Sequence, residues 1–464
     1  MTEQALRSSI EHLHGPEEVD YEPDELVVVC NVRDGRPYVK SFVEHYRSLG
    51  AKHLFFLDNN STDGTVEALK NYDNTTVLRS KLPFKEYDVP FKQYLIGRFG
   101  RKDRWCLCAD MDELFDYPYS DVIGLGSLLG YLSGNSYTAV AAQMLDMFPE
   151  EPLSGREENL EDEPLKERHR FYDISNLKRV SIKKNPRLRN NTLQSDEIET
   201  FRNGIDNTVF GTEPLRTKFP LVFTDGRIKP FDHSSHWVDN AKIADISCVL
   251  LHYKFLDGYF HKRTLQAVQE ENHYKNSRGA KKHLEVLDRN PTLQVKRESA
   301  RELKSVNDLV ENGFLVVSEE YMMRVYEEEE EEKHNGAGGH TPPLRGEPLG
   351  GERGGPEDEA AALYRARAQA KVHSLRANRL EQHLEKLRGQ EPLQPNRSVE
   401  KLREQNQREV ERLSRRLERF QKKNRNLRQR NRTLTQQLQS IRASRSVRLL
   451  NKLGRIRARV FGRG

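Results

Sequence analysis

The first 110 positions alternate short apolar runs with amphipathic stretches. Residues 25–30 (ELVVVC) are a continuous apolar run of strand length. In residues 37–49, Val39, Phe42, Val43, Tyr46 and Leu49 recur at helical spacing, and Gly50 follows as a helix stop. Residues 53–57 (HLFFL) read as the next buried strand, 58–65 as a polar turn, 66–71 as helix and 75–79 as strand. A further helix is expected over 90–100 and a strand over 104–109 (RWCLCA), which runs straight into Asp110-Met111-Asp112-Glu113. Strands alternating with helices in this way predict an α/β fold with a mostly parallel central sheet. Ligands of such sheets bind beyond the carboxyl ends of the strands. The acidic clusters at 58–63 and 110–113 each follow a buried strand, so both are expected on one rim, sharing one hollow.

The pattern is weaker from 131 to 256. Residues 137–144 and 249–255 read as strands, and the charged stretch 150–178 reads as a loop. Residues 260–325 read as mostly amphipathic helix. Six consecutive glutamates (327–332) lead into a Gly/Pro-rich stretch, 336–356, that cannot build a core. Beyond it, Leu413, Leu417, Phe420, Asn424, Leu427, Asn431, Leu434, Leu438 and Ile441 alternate steps of four and three, a heptad seam. A shorter seam of Ala366, Ala370, His373, Ala377, Leu380, Leu384 and Leu387 precedes it, with Pro392 and Pro395 between the two. The expected organisation is a polar lead-in (1–24), an α/β domain (25–275), a helical extension (276–326), an acidic and Gly/Pro-rich linker (327–358), a coiled coil (359–443) and a basic amphipathic tail (444–464).

Charge sharpens this division. The 464 residues carry a net +5, but from residue 365 onward 29 lysines and arginines face 8 acids, a local +21. The rest, with 47 against 63, stands at −16. An acidic body with a basic tail suggests a globular module plus an electrostatic attachment segment. In the tail, Leu449, Leu453, Ile456 and Val460 share a face ringed by arginines, which suits an anionic bilayer surface. A plain structural helix and a nucleic-acid contact are the other readings, and the scarcity of aromatic residues argues against the last. No apolar run is long enough for a membrane span, and residues 1–24 lack the apolar segment of a signal peptide. Cys30, Cys106, Cys108 and Cys248 lie in apolar runs without a C-x-x-C pair, as buried reduced thiols do. The chain is therefore expected in the cytoplasm, with the tail able to touch the inner face of the cell membrane.

The candidate chemistry is acidic. Asp112, with Asp110, could hold a divalent cation whose other ligands are diphosphate oxygens, a set that suits Mg²⁺ or Mn²⁺. Asp58 ends a strand and is a candidate nucleotide contact, while Asp63 could cap the following helix. The run VVVCNVRDGRPYVKSFVEHYRSLGAKHLFFLDNNSTDGT, followed by WCLCADMDELF, resembles glycosyltransferase family 2 and its relatives with the GT-A fold. Within that group it is similar to a subgroup with "DN-S-DGT" and DxDE motifs. His45 and Gly50 stand in matching places, whereas Arg33-Asp34 follows Asn31 where the subgroup usually has Asn-Glu. Later segments, LRTKFPLV, HSSHWV and LLHYKFLDGYFHKR, carry the likeness to about residue 275.

The resemblance implies a metal-dependent, inverting transfer of a sugar from a nucleoside-diphosphate donor to a hydroxyl acceptor, with a glycan or lipid-linked acceptor of envelope glycan synthesis as the expectation. It implies donor contacts from Asn31, Asp58, Asp63 and Asp110, and a metal on Asp112 and Asp110. His252 is then a candidate third metal ligand, and Lys254 and His236 are candidate donor contacts. Lys218 is either structural or phosphate-facing. Glu113 is the first candidate general base and Asp146 the second. The rival reading is a coiled-coil scaffold whose GT-A-like module has lost activity. A nucleotidyltransferase is a minor third, which would normally show a Gly-rich phosphate loop. The seams also imply a homodimer.

Overall fold

A computed structural model describes residues 3–153, 164–230, 234–270, 277–335, 356–388 and 397–443. The chain divides into two compact units: residues 1–310 with 314–316, and residues 311–313 with 317–464.

The first unit is α/β. Its central sheet has ten strands: β1 (Glu11–His14), β2 (Leu26–Val32), β3 (His53–Asp58), β4 (Thr75–Arg79), β5 (Trp105–Cys108), β6 (Glu113–Asp116), β7 (Ala139–Asp146), β8 (Thr192–Leu193), β9 (Thr217–Phe223) and β10 (Lys242–His252). Their order is β1-β4-β3-β2-β5-β9-β7-β10-β8, with β6 also paired to β10. The block β4-β3-β2-β5 is parallel, as expected from its apolar runs. β2 and β3 are buried along their whole length, so they read as unbroken apolar runs and not as alternating ones.

The sheet is mixed because β9 enters antiparallel to both β5 and β7. The sequence pattern concealed β9, since Pro220 lies in its middle and proline cannot donate to a ladder. The register shifts between Lys218 and Leu221, and this irregularity accommodates the proline. β10 begins at Lys242, well before the expected 249. Asp245 interrupts its apolar pattern, but its carboxylate accepts the Tyr131 hydroxyl at 2.8 Å, so the strand can stay buried.

Other boundaries differ too. The lead-in is part of the fold: β1 pairs with β4, and Leu6 and Tyr21 are buried. The helix expected at 90–100 runs Phe84–Phe99 and keeps Pro90 inside, with Tyr87 and Val89 extending its buried residues upstream. The stretch expected as a loop over 150–178 includes a short helix, Leu165–Arg168, and the strand Phe171–Tyr172, while 154–163 lie outside the described residues. All four cysteines are buried and free.

In the second unit, the glutamates 327–332 belong to helix Glu319–Asn335, not to a linker. Arg324 pairs with Glu328 one turn away, at 3.2 Å. The remaining linker residues 336–355 and the basic tail 444–464 lie outside the described residues. Helices Pro356–Arg388 and Arg397–Ala443 pack against each other within one chain, with Gln421 donating to Glu381 at 2.9 Å and Leu384 and Leu427 buried. Among the described residues, no helix is long and apolar enough to cross a membrane.

One helix fixes the strand that follows the acidic turn. Helix Val39–Leu49 ends at Gly50, whose φ of 97° is left-handed and whose N–H reaches the Arg47 and Tyr46 carbonyls. From it, the Tyr46 hydroxyl donates to the Glu113 carbonyl at 3.0 Å and accepts from the Phe115 N–H at 2.9 Å. His45 Nε2 donates to the Phe115 carbonyl at 2.7 Å. Burial, with Lys166 nearby, lowers the His45 pKa to about 3, so the ring is neutral in the fold. The unfolded chain protonates first as pH falls, and stability present above the ordinary histidine range drains away on acidification. That loss runs at up to about 1.4 kcal/mol per pH unit for one such group. His45→Gln, which keeps a donor near Nε2, should therefore flatten the decline of Tm between pH 6 and 4; an unchanged slope in the variant contradicts this.

Candidate functional site

The sheet register collects the chemistry. At the carboxyl end of β10, His252 is paired with Glu113 of β6 on one side and Asp146 of β7 on the other. β5 ends at Cys108, and a turn closed by the Glu113 N–H on the Asp110 carbonyl, 2.9 Å, carries Asp110 and Asp112. This turn meets a cavity of about 520 Å³. Asn31, Asp110, Asp112, Lys218, His236 and Lys254 line it, as do Lys92, Arg263 and His283.

Asp58 and Asp63 are not in that lining. Asp58 is fully buried, pairs with Arg79 at 3.0 Å and accepts the Ser61 N–H. The register explains this, because Arg79 lies opposite Asp58 on the neighbouring strand. Asp63 accepts the Thr65 N–H at 3.1 Å and the Arg36 N–H at 3.0 Å. The expectation that both acidic clusters face one hollow is therefore corrected: the 58–65 turn buttresses the neighbouring loop. Asp34 holds the Thr62 N–H at 2.8 Å, and the Arg33 and Gly35 beside it line the cavity.

At the acidic turn, each Asp110 oxygen meets a lysine at 2.6 Å, Lys92 on Oδ1 and Lys218 on Oδ2. Lys218 also donates to Glu113 Oε1 at 2.5 Å, and Glu113 Oε2 accepts the Asp110 N–H at 3.3 Å. Burial alone would raise the Asp110 pKa, but the two ammonium groups hold it far below the carboxylate range. Burial would lower Lys218, yet Asp110 and Glu113 hold it charged. For Glu113 burial dominates over Lys218 and the pKa rises. Glu113 is buried, outside the cavity lining, and bonded through both oxygens, which is not the posture of a general base.

A second ionic cluster adjoins the cavity and shares Lys254 and His283 with its lining. Arg216 grips both Asp146 oxygens, at 2.8 and 2.6 Å. Asp146 Oδ1 also accepts His252 Nδ1 at 2.6 Å, and Lys254 lies 3.6 Å from Oδ2. Lys254 is bonded to Asp206 at 2.6 Å, and His283 stands 3.2 Å from the same oxygen. Asp146 is thus a support for His252 and not a free base. Burial would depress the His252 pKa, but Asp112 and Asp146 raise it to about 9. His236 is the reverse case: burial and Lys218 push it down to about 4. Being neutral, it donates from Nδ1 to the Thr217 carbonyl at 2.8 Å, which leaves Nε2 as an acceptor.

For a divalent ion, Asp112, Glu113 and His252 are the grouping whose ligand atoms lie within 4.8 Å of one another, among the described residues. Asp112 Oδ2 and His252 Nε2 are 3.3 Å apart. Asp146 on Nδ1 orients the ring so that Nε2 is presented, the usual outer support of a ligating imidazole. Asp112 and His252 could share a divalent ion, whereas both Asp110 oxygens are already held by lysines.

Sequence reasoning missed Lys92, Asp206, Arg216 and His283. Lys92 had a signal, as a lysine sharing a helix face with Leu95, Ile96 and Phe99. Arg216 stood in the LRTKFPLV run, but nothing local pointed it at Asp146. No protein-family model matches the chain, and no curated protein matches it either.

The ionic cluster yields a stability prediction. Arg216→Met removes the guanidinium that grips Asp146 and stands 3.5 Å from Asp206, leaving both buried carboxylates short of charge, which should cost about 3–5 kcal/mol. Urea unfolding would read this as a lowered midpoint; a loss under about 1 kcal/mol contradicts the pairing.

Proposed function

We propose that the chain is a metal-dependent glycosyltransferase of GT-A type that moves a sugar from a nucleoside-diphosphate donor to a hydroxyl acceptor, with inversion. What carries this reading is the cavity of about 520 Å³ at the strand ends, lined by Asp112, Lys254 and Arg263, with His252 Nε2 3.3 Å from Asp112 Oδ2. Bond cleavage leaves a nucleoside diphosphate with growing negative charge, and a cavity offering both a cation site and fixed cations answers that need. Asp112 and His252 would hold the ion, which when bound supplies a Lewis acid to the diphosphate.

The chain's own groups take the remaining roles. Lys254, held in place by Asp206, and Arg263, on helix Tyr259–Gln269, stand where diphosphate oxygens would lie. His236 Nε2 accepts a donor hydroxyl. Asn31, anchored by its Nδ2 on the Asp88 carbonyl at 3.1 Å, reads the base or ribose that Asp58 was expected to read. A glycan or lipid-linked acceptor, pairing of two chains through the long helices and contact of the tail with an anionic membrane belong to the same proposal.

The scaffold reading draws on one observation, the lysines that already neutralise Asp110 and Glu113. Ligand-dependent melting separates the two. With Mn²⁺ and a panel of nucleotide sugars, a donor at a hundred times its Kd adds about 2.7 kcal/mol, several degrees in Tm. The transferase reading expects this shift in the unaltered protein, its loss in Asp112→Asn, and its retention in Asp58→Asn over a lower baseline. No shift with any donor favours the scaffold, and a shift abolished by Asp58→Asn contradicts the placement of the cavity.

A further inference from the structure

We propose that Lys218 is a built-in counter-cation that occupies the Glu113 carboxylate and competes with a divalent ion for it. This deepens the functional reading above and rests on its metal. Lys218 comes from β9, the antiparallel strand between β5 and β7, so its ammonium reaches the acidic turn from inside the sheet. It touches Asp110 at 2.6 Å and Glu113 at 2.5 Å, and its side chain is only 5% exposed. Lys92, equally buried, neutralises the other Asp110 oxygen at 2.6 Å. The ammonium therefore does, on one side of the turn, the charge work that a metal does elsewhere.

Geometry sets the consequence. Asp112, Glu113 and His252 are close enough to share one ion, but an ion taking all three would have to share the Glu113 carboxylate with Lys218, which already holds Oε1. That would set a buried ammonium beside a new dication on one carboxylate, an arrangement low-dielectric surroundings penalise. In the native protein Asp112 and His252 would then be the side chains that hold the ion. Metal affinity without nucleotide is weak, because ligand charge count tunes it.

The test titrates Mn²⁺ alone into the full chain, with free Mn²⁺ read by electron paramagnetic resonance. Lys218→Met frees Glu113 and should tighten Mn²⁺ binding by about tenfold or more. Glu113→Gln, which removes no ligand used in the native protein, should bind within about twofold of it. Asp112→Asn and His252→Ala should lose about tenfold or more. Unchanged or weaker binding by a folded Lys218→Met overturns the proposal. So does a tenfold loss in Glu113→Gln, which remains decisive if Lys218→Met does not fold. No nucleotide is present, so failure here leaves the donor-binding result standing, and failure of donor binding leaves this one standing.

Discussion

The neutralisation of buried carboxylates at the strand ends is the constraint on which the site depends. Glu113, Asp146 and Asp206 lie in a low-dielectric layer where an isolated charge would be prohibitively costly, and Asp110 stands at its edge, its side chain 34% exposed. Lys92, Lys218, Arg216 and Lys254 meet them at 2.5–2.8 Å. Each cation comes from a different element from its carboxylate partner, so the ionic pairs also fix how β5, β6, β7, β9, β10 and the neighbouring helices meet. The site's geometry and the register of the sheet are two aspects of one arrangement.

Within that layer, Asp112 and His252 stand apart. Every other acid at the strand ends meets a lysine or arginine, while Asp112 faces an imidazole, a group that can give up its proton to a metal. The Asp146–His252 bond, itself locked by Arg216, aims that imidazole. The same network that serves the fold therefore leaves Asp112 paired with an imidazole beside a cavity that Lys254 and Arg263 also line.

Of the first 110 residues, β2, β3 and β5 were legible because each is buried along its length and reads as an apolar run, whereas β1 was concealed in a polar lead-in. The turn at 110–113 was legible for the same reason, since it ends such a run. Legibility failed where polar groups are buried in pairs. Asp245 concealed the start of β10, and Pro220 concealed β9, yet β9 carries Lys218 and follows directly on Arg216. Asp58 was misread because its partner Arg79 is adjacent in the sheet and remote in the chain, so nothing local revealed that its charge was already spent. Asp146 and Glu113, read as candidate bases, failed likewise: their cationic partners lie about 70 and 105 positions away. Pairing across the sheet, which decides whether a carboxylate is a tool or a brace, leaves no periodic trace in the sequence.

The central claim is that Asp112 and His252 present a cation to a diphosphate held in the strand-end cavity. Anomalous diffraction from crystals grown with Mn²⁺ and a nucleoside diphosphate addresses it directly. The account predicts a single strong peak within about 2.0–2.3 Å of an Asp112 oxygen and His252 Nε2, bridged to diphosphate oxygens, with Lys218 still on Glu113. A nucleotide seated elsewhere, or a manganese peak remote from both residues, would contradict it.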